Sequence, residues 1–284
     1  MRKAIFLALV SGLLSSSITY ADSSFYALNR TAQVNRRWCV QPIGWISDLS
    51  GNFKIVENKN PALGQNVDLE RDTVNLDKES AFGVNCSYQT SHRATIEFNT
   101  LKVKHNGNLG VARMFKGKNY TANAKYKIDN NIYDVLLNYH LWRSMSCAGR
   151  ENFYISGLFG VKVSDMDFDL EGQTITAGGI QARDQSSYSE SLPTPYVGVE
   201  YGSFINKVFY FKAGVRYMGL NYGDYDGHHY DYNLKLSYRL SGDDCSHDVL
   251  MDVGYRYIVY QLDGKGNDVK LRYKGPYFGF DLLF

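Results

Sequence analysis

The last fifteen residues, KLRYKGPYFGFDLLF, constrain this chain more than any other stretch. Counting back from Phe284 in steps of two gives Leu282, Phe280, Phe278 and Pro276, with Leu283, Asp281, Gly279, Tyr277 and Gly275 between them. A period of two is that of a β-strand, whose successive side chains point to opposite faces. One face here is apolar and aromatic, and the other is small or polar with a single charge. Such a strand needs an apolar medium on one side and a mixed one on the other.

The same pattern recurs along the chain. Tyr230, Tyr232, Leu234, Leu236, Tyr238 and Leu240 oppose Asp231, Asn233, Lys235, Ser237 and Arg239. Val249, Met251, Val253, Tyr255 and Tyr257 oppose Asp252, Gly254 and Arg256. Further alternating segments begin near Arg36, Phe82, Ala94, Tyr120, Phe153, Pro193 and Phe209. In 120–142 the apolar parity changes near Asn130: Ala122, Ala124 and Tyr126 share one face, then Tyr133, Val135, Leu137 and Tyr139 share the other. A β-bulge in one long strand accounts for this change and gives ten strands. A hairpin turn at 129–131 is the alternative and raises the count to twelve.

The charged face decides the architecture. In a sandwich core, Lys212, Arg216, Asp231, Lys235, Arg239, Asp252 and Arg256 would be buried among aliphatic groups without partners. In a transmembrane barrel the apolar faces meet lipid and the charges face a polar interior, while closure pairs the backbone groups as a bilayer demands. The links at 90–92, 143–150, 203–206 and 241–247 are short, and those at 58–80, 105–119, 165–191 and 221–227 are mostly longer and more polar. That alternation matches periplasmic turns and extracellular loops, with both termini periplasmic. The 23 Tyr and 26 Gly against 5 Pro agree with interfacial aromatics and crowded barrel walls.

Residues 1–21 have a basic start, a short apolar run and small residues before Ala21, the pattern of a secretory signal peptide. Residues 22–35 are then a short periplasmic segment and 36–284 the barrel. The near balance of 31 basic and 29 acidic residues argues against nucleic acid as a partner. Cys39 and Cys86 fall at one end of adjacent strands, where a cross-strand disulfide is conceivable; Cys147 and Cys245 fall in short turns. No spacing indicates a metal site, and no cofactor is expected.

The final strand with alternate apolar residues and a terminal Phe resembles the recognition signal of the outer-membrane barrel insertion machinery, carried here by Phe278, Phe280, Leu282 and Phe284. SLPTPYVGVEYG, AGVRYMGLNYGDYDG and GYRYIVYQLDG are similar to segments of Gram-negative outer-membrane barrels in the broad outer-membrane protein A and porin-like superfamily. The resemblance implies an outer-membrane location and contact with lipid, lipopolysaccharide and the barrel-assembly machinery. It implies little about substrate.

Candidate interior residues are Glu97, Asp134, Lys162, Glu200, Lys212, Arg216, Asp231, Lys235, Arg239, Asp252, Arg256 and Asp281, with His140 toward the periplasmic end. Paired, they fill the bore as an ionic network. Unpaired, Arg216, Lys235 and Arg256 at similar heights favour small anions in a slender pore. The segment 221–231 clusters Asp224, Asp226, His228, His229 and Asp231 at a rim. Omptin proteases carry an Asp–His pair on the corresponding outer loop and a carboxylate pair on the second, but 105–119 contains no Asp or Glu. The Ser–His arrangement of outer-membrane lipid hydrolases has no counterpart either, since His140 faces inward and His92 sits in a turn. The expectation is a non-catalytic outer-membrane barrel, either a narrow pore for small solutes or a structural protein that binds surface ligands.

Overall fold

The computed structural model describes residues 38–56, 60, 62, 64–74, 79–91, 93–145, 151–176, 178–205, 208–222, 225–242, 248–264 and 266–283. The expected signal peptide at 1–21, residues 22–35, Phe284, His92, Asp224, Cys147 and Cys245 lie outside them. Ten long strands dominate: β1 (Trp38–Lys54), β2 (Glu79–Gln89), β3 (Ala94–Leu109), β4 (Lys125–Met145), β5 (Glu151–Thr176), β6 (Gly179–Phe204), β7 (Phe209–Tyr222), β8 (Tyr225–Gly242), β9 (Asp248–Gly264) and β10 (Asn267–Leu283). Each pairs antiparallel with its sequence neighbour, and β1 pairs with β10 from Cys39↔Leu283 to Lys54↔Asp268, closing the sheet into an up-and-down barrel. β1 therefore begins, and β10 ends, at the same rim, called here the near rim. No helix among the described residues is long and apolar enough to cross a membrane.

The parity change near Asn130 has a different cause from the expected bulge. β4 stays in continuous register with β5 from Lys125↔Glu171 to His140↔Ser156, and over that span its even-numbered residues face inward; the register shifts only beyond it, between His140 and Trp142. What changes is the chemistry of the two faces. Toward the near rim, Tyr139, Leu137, Val135 and Tyr133 point out and Asn138 and Asp134 point in. Beyond Ile132 the outer face carries Asn131, Asp129, Lys127 and Lys125, and the inner face carries Ile128 and Tyr126. The same inversion occurs on β5, from outward Phe159, Val161 and Val163 to Asp165, Asp167 and Asp169, and on β10, from Phe280, Phe278 and Pro276 to Lys274, Arg272 and Lys270. A lipid-facing wall must be apolar outside, whereas a wall in water must be polar outside and hydrophobic within. The strands therefore run through the membrane edge and continue as the wall of a water-exposed β-structure with its own core.

That core joins Trp45, Leu49, Phe53, Val103, Ile128, Phe168, Leu271 and Tyr273. Val67 and Leu69 from the β1–β2 connection, and Phe115 and Tyr120 from the β3–β4 connection, are buried in the same cluster, so both connections fold over the far mouth. The second is a small hairpin, Arg113–Phe115 with Lys118–Tyr120, turned by Lys116 and Gly117 at φ 46° and 74°. Positive φ at both central positions is the mirror-image turn that suits a two-residue hairpin. Arg113 holds Asp72 with Nε to Oδ2 at 3.0 Å and Nη2 to Oδ1 at 2.6 Å, locking the two connections together.

Two expected long loops are strands instead. Residues 165–191 belong largely to β5 and β6, and 221–227 largely to β7 and β8. The polar residues that looked like loop are outer faces in water. Cys39 and Cys86 are free. Cys86 stands opposite Val40, and Cys39 opposite Ser87, so the one-residue offset puts the two thiols on opposite faces of the wall. The ladder between β6 and β7 is incomplete: the two pair from Phe204↔Tyr210 only as far as Val197↔Tyr217.

Candidate functional site: the barrel interior

Four inward tyrosines shape the wall before any charge is considered. Tyr196 stands opposite Gly160, Tyr154 opposite Gly202, Tyr277 opposite Gly254 and Tyr126 opposite Gly107. A Cβ at Gly160 would lie 2.5 Å from the Tyr196 hydroxyl, and one at Gly254 would lie 2.3 Å from the Tyr277 ring. Each glycine thus leaves room for a ring to lie flat along the wall, a covering that strengthens a glycine in a sheet. The laid-down rings send their hydroxyls sideways into the charged layer.

That layer holds the sequence-predicted residues on the inner face, in three groups. In the first, Asp231 receives Lys162 Nζ at 2.7 Å and both Arg256 Nε and Nη2 at 3.0 and 2.7 Å. Arg216 Nη1 donates to Asp134 at 3.0 Å, and Tyr196 OH donates to the other Asp134 oxygen at 2.7 Å. Lys162 and Arg216 each lie 5.7 Å from the centre of the Tyr196 ring. In the second group Glu200 accepts from Lys212, Tyr154 and Asn138, and Asn138 also reaches Glu97 at 3.3 Å. In the third, Lys235 lies 2.6 Å from Asp281 and 3.4 Å from Asp252, which also accepts from Gln41. Arg239 is half-buried at the near rim, opposite Leu250. His140 faces inward near the same rim, its Nδ1 2.8 Å from Ser156 Oγ.

Arg216, Lys235 and Arg256, the cations expected to line an anion path, are each bound to carboxylates. Lys162 is fully buried, and Asp134, Asp231 and Asp252 are at most 2% exposed. A small cavity remains beside the ionic layer, lined among others by Gln41, Asn85, Asn99, Lys212 and Trp45. A search by charge alone overlooks Tyr154, Tyr196, Asn138 and Gln41. Their signal in the sequence is shared parity: Tyr196 and Glu200 alternate on one face, as do Asn138 and Asp134.

The rim cluster at 221–231 does not form one site. Alternation sends His229 and Asp231 inward and His228 to the other face, where its ring stacks on Tyr217 at an interplanar angle of 16°. Among the described residues no group of three His, Cys, Asp or Glu side chains is arranged to hold a metal ion. Phe278 and Phe280, 52% and 47% exposed, and Leu282 stand on the apolar outer belt with Phe159, Val197 and Leu234.

A closed ten-stranded barrel with an apolar outer belt defines an outer-membrane β-barrel of the Gram-negative type. No family model and no curated protein matches the sequence. Among solved structures, the outer membrane protease OmpT from Escherichia coli matches with a TM-score of 0.59 at 10% identity, over 90% of this chain and 100% of that one. The Pseudomonas putida toluene transporter TodX matches at 0.29 with 8% identity, over 88% and 89% of the two chains. OmpT, an outer membrane protein of Vibrio cholerae, matches at 0.23 with 10% identity, over 87% and 96%. The first likeness is one of fold.

Proposed function

We propose that this protein is a closed, non-conducting outer-membrane barrel that displays its far-rim β-structure to the cell exterior, with both termini periplasmic. The observation that carries this reading is the filled bore. Paired charges occupy the membrane level, and the hydrophobic cluster capped by Leu69 and Phe115 occupies the outer level. A solute path would require breaking ion pairs whose separated charges are costly to strand. The role is then structural and surface-interacting, with an exposed hairpin, β5–β6, whose outer face carries Asp165, Asp167, Asp169 and Glu171.

The kinship with the outer-membrane protein A and porin-like superfamily rests on the sequence motifs. Lys102 and Lys104 on β3 and Lys270, Arg272 and Lys274 on β10 point outward just past the apolar belt, which supports contact with the anionic headgroups of lipopolysaccharide. The outward Phe278, Phe280 and Leu282 fit engagement by the barrel-assembly machinery. A protease of the omptin kind is disfavoured, because His228 and His229 face different sides and 105–119 offers no acidic partner.

Conductance of the refolded, signal-free protein in a planar bilayer under a salt gradient tests the proposal. Heat-modifiable gel migration confirms the folded barrel. A silent bilayer is expected. Steady conductance with a reversal potential moved by Arg256→Ala would replace the closed barrel with a slender pore.

A further inference from the structure

The register of the wall leaves one edge of β6 without a neighbour. Ile205 N–H donates to Phe209 O at the β6–β7 turn, so the odd-numbered residues of β6 aim their backbone groups at β7. The two strands pair as far as Val197↔Tyr217, and Pro195 and Pro193, which have no N–H to give, follow on that side. Carried on in the same register, Tyr222 at the end of β7 would meet Leu192. Beyond Leu192, β6 therefore outruns β7, while it stays paired with β5 up to Arg183↔Gln173 without a break in register. The backbone groups of Ser191, Ser189, Ser187 and Gln185 point to the open side. Two of them are used locally: Ser187 O accepts from Lys116 Nζ at 2.9 Å, and Gln185 N–H donates to the Asp184 carboxylate at 2.8 Å. Among the described residues, nothing bonds the backbone groups of Ser189 and Ser191 or the N–H of Ser187.

This open segment is held in place and flanked by negative charge. On its inner face Tyr120 OH donates to Ser186 Oγ at 2.7 Å, and Asn267 Nδ2 donates to Tyr188 OH at 2.9 Å, so the strand is fixed before any partner arrives. On its outer face Ser191, Ser189 and Ser187 stand directly beside Asp165, Asp167 and Asp169 of β5. Asp167 also has Asp129 opposite it on β4. The nearby cations Lys127 and Arg183 are taken by Asp129 and Glu171, at 2.8 and 2.9 Å. Among the described residues, Asp165, Asp167 and Asp169 have no ion pair of their own. Paired strands lie about 4.8 Å apart, so a strand added to β6 would lie two such spacings from these acids with only short serines between. A Lys or Arg side chain spans that gap.

We propose that the open edge of β6 from Ser187 to Ser191 takes an extended basic segment of another protein as an added strand. Backbone bonds to the three serines hold the segment. Every second side chain, a Lys or Arg, lies on the outer face and reaches over the serines to Asp165, Asp167 and Asp169. The inference deepens the surface-interaction reading and rests on the far rim facing the cell exterior.

The test uses the full mature protein in nanodiscs, where both rims are accessible, and a short synthetic peptide of alternating Lys and Thr. Amide hydrogen exchange at Ser187, Ser189 and Ser191 should be fast without peptide and should slow by about tenfold or more at saturation. The same peptide N-methylated at its lysines keeps the charge and loses the donors, and it should bind about tenfold more weakly. Ser189→Pro removes a free donor from an edge strand and breaks no existing bond, so it should weaken binding with heat-modifiable migration unchanged. Replacing Asp165, Asp167 and Asp169 together by Asn should weaken binding about tenfold at low salt. Amides already protected without peptide would overturn the proposal. So would an N-methylated peptide or a proline variant that binds as tightly as the native pair, since charge attraction alone would then explain binding. Full affinity in the triple Asn variant would overturn the basic character of the partner. Cells displaying the native protein should retain more labelled peptide than cells displaying Ser189→Pro. Equal retention on cells, alongside pairing in nanodiscs, would keep the added strand and overturn the outward display of the far rim.

Discussion

Arg256 grips Asp231 through two nitrogens, at 3.0 and 2.7 Å, and the same carboxylate receives Lys162 at 2.7 Å. One buried anion thus holds two cations, with Arg216 Nη1 a third at 3.8 Å. Removing it strands positive charge around a position that is itself 2% exposed. Asp231→Ala should lower unfolding stability by about 3–5 kcal/mol, the range for breaking a buried pair from one side. Asp48→Ala, which removes an exposed partner 3.8 Å from Lys274, should cost under about 1 kcal/mol. Urea unfolding in lipid vesicles measures both, and similar midpoint shifts would contradict a buried ionic layer.

Phe168 and Phe159 lie on the same strand, one inside the far-rim core at 2% exposure and the other on the lipid belt at 53%. Phe168→Ala should cost about 3–5 kcal/mol, because it opens a cavity among Phe53, Tyr188 and their neighbours. Phe159→Ala leaves a gap that lipid chains fill and should cost clearly less. The same unfolding assay ranks the two, and the reverse order would mean that the far-rim core is not packed.

The Asp72–Arg113 clamp makes the far cap sensitive to acid. Burial raises the Asp72 carboxyl, but hydrogen bonds from Arg113, the Asp68 amide and Arg71 outweigh it, so its pKa lies below the usual value. A group held more acidic in the folded state stabilises that state above its unfolded pKa, about 3.9. The stabilisation is lost as pH falls through the lower folded pKa. Hydrogen exchange in 65–74 and 110–120 should stay slow from neutral pH to about pH 5 and accelerate below about pH 4. Asp72→Asn should show fast exchange already at neutral pH. Uniform protection down to the lowest pH would show that the clamp does not hold the cap.

The register of β1 against β2 can be read by crosslinking. Cys86 faces Val40, not Cys39, so the native pair should stay reduced under mild oxidation. Val40→Cys places a thiol directly opposite Cys86 on the outer face, where directly opposed Cβ atoms lie about 4.5–5.5 Å apart. Oxidation should then give a bridge detectable by a reductant-dependent gel shift. A bridge in the native protein would mean a one-residue slip.

Much of the wall was legible because a strand's period of two survives any tertiary context. Tyr230 to Leu240 could only be a wall with one oily face, and Asp231, Lys235 and Asp252 could only face inward from it. The misreadings share one cause. At 130–131 and again after Val163, a pattern judged for a single environment was crossing from lipid into water, so an inverted face looked like a bulge and a strand looked like a loop. Local alternation shows that two faces differ; it does not show which solvent meets each.

The chain by itself determined the class of structure, the strand count given continuity through Asn131, and the residues that line the interior. Each follows from alternation and from the need of a bilayer to have backbone groups paired. Only the tertiary structure decided whether the charges are free or bound, because Lys162 and Asp231 are 69 residues apart and meet across the bore. It also decided that Leu69 and Phe115 seal the mouth and that the β6–β7 ladder stops at Val197↔Tyr217. Those outcomes depend on which strands and connections come together in space, and no local pattern carries that information.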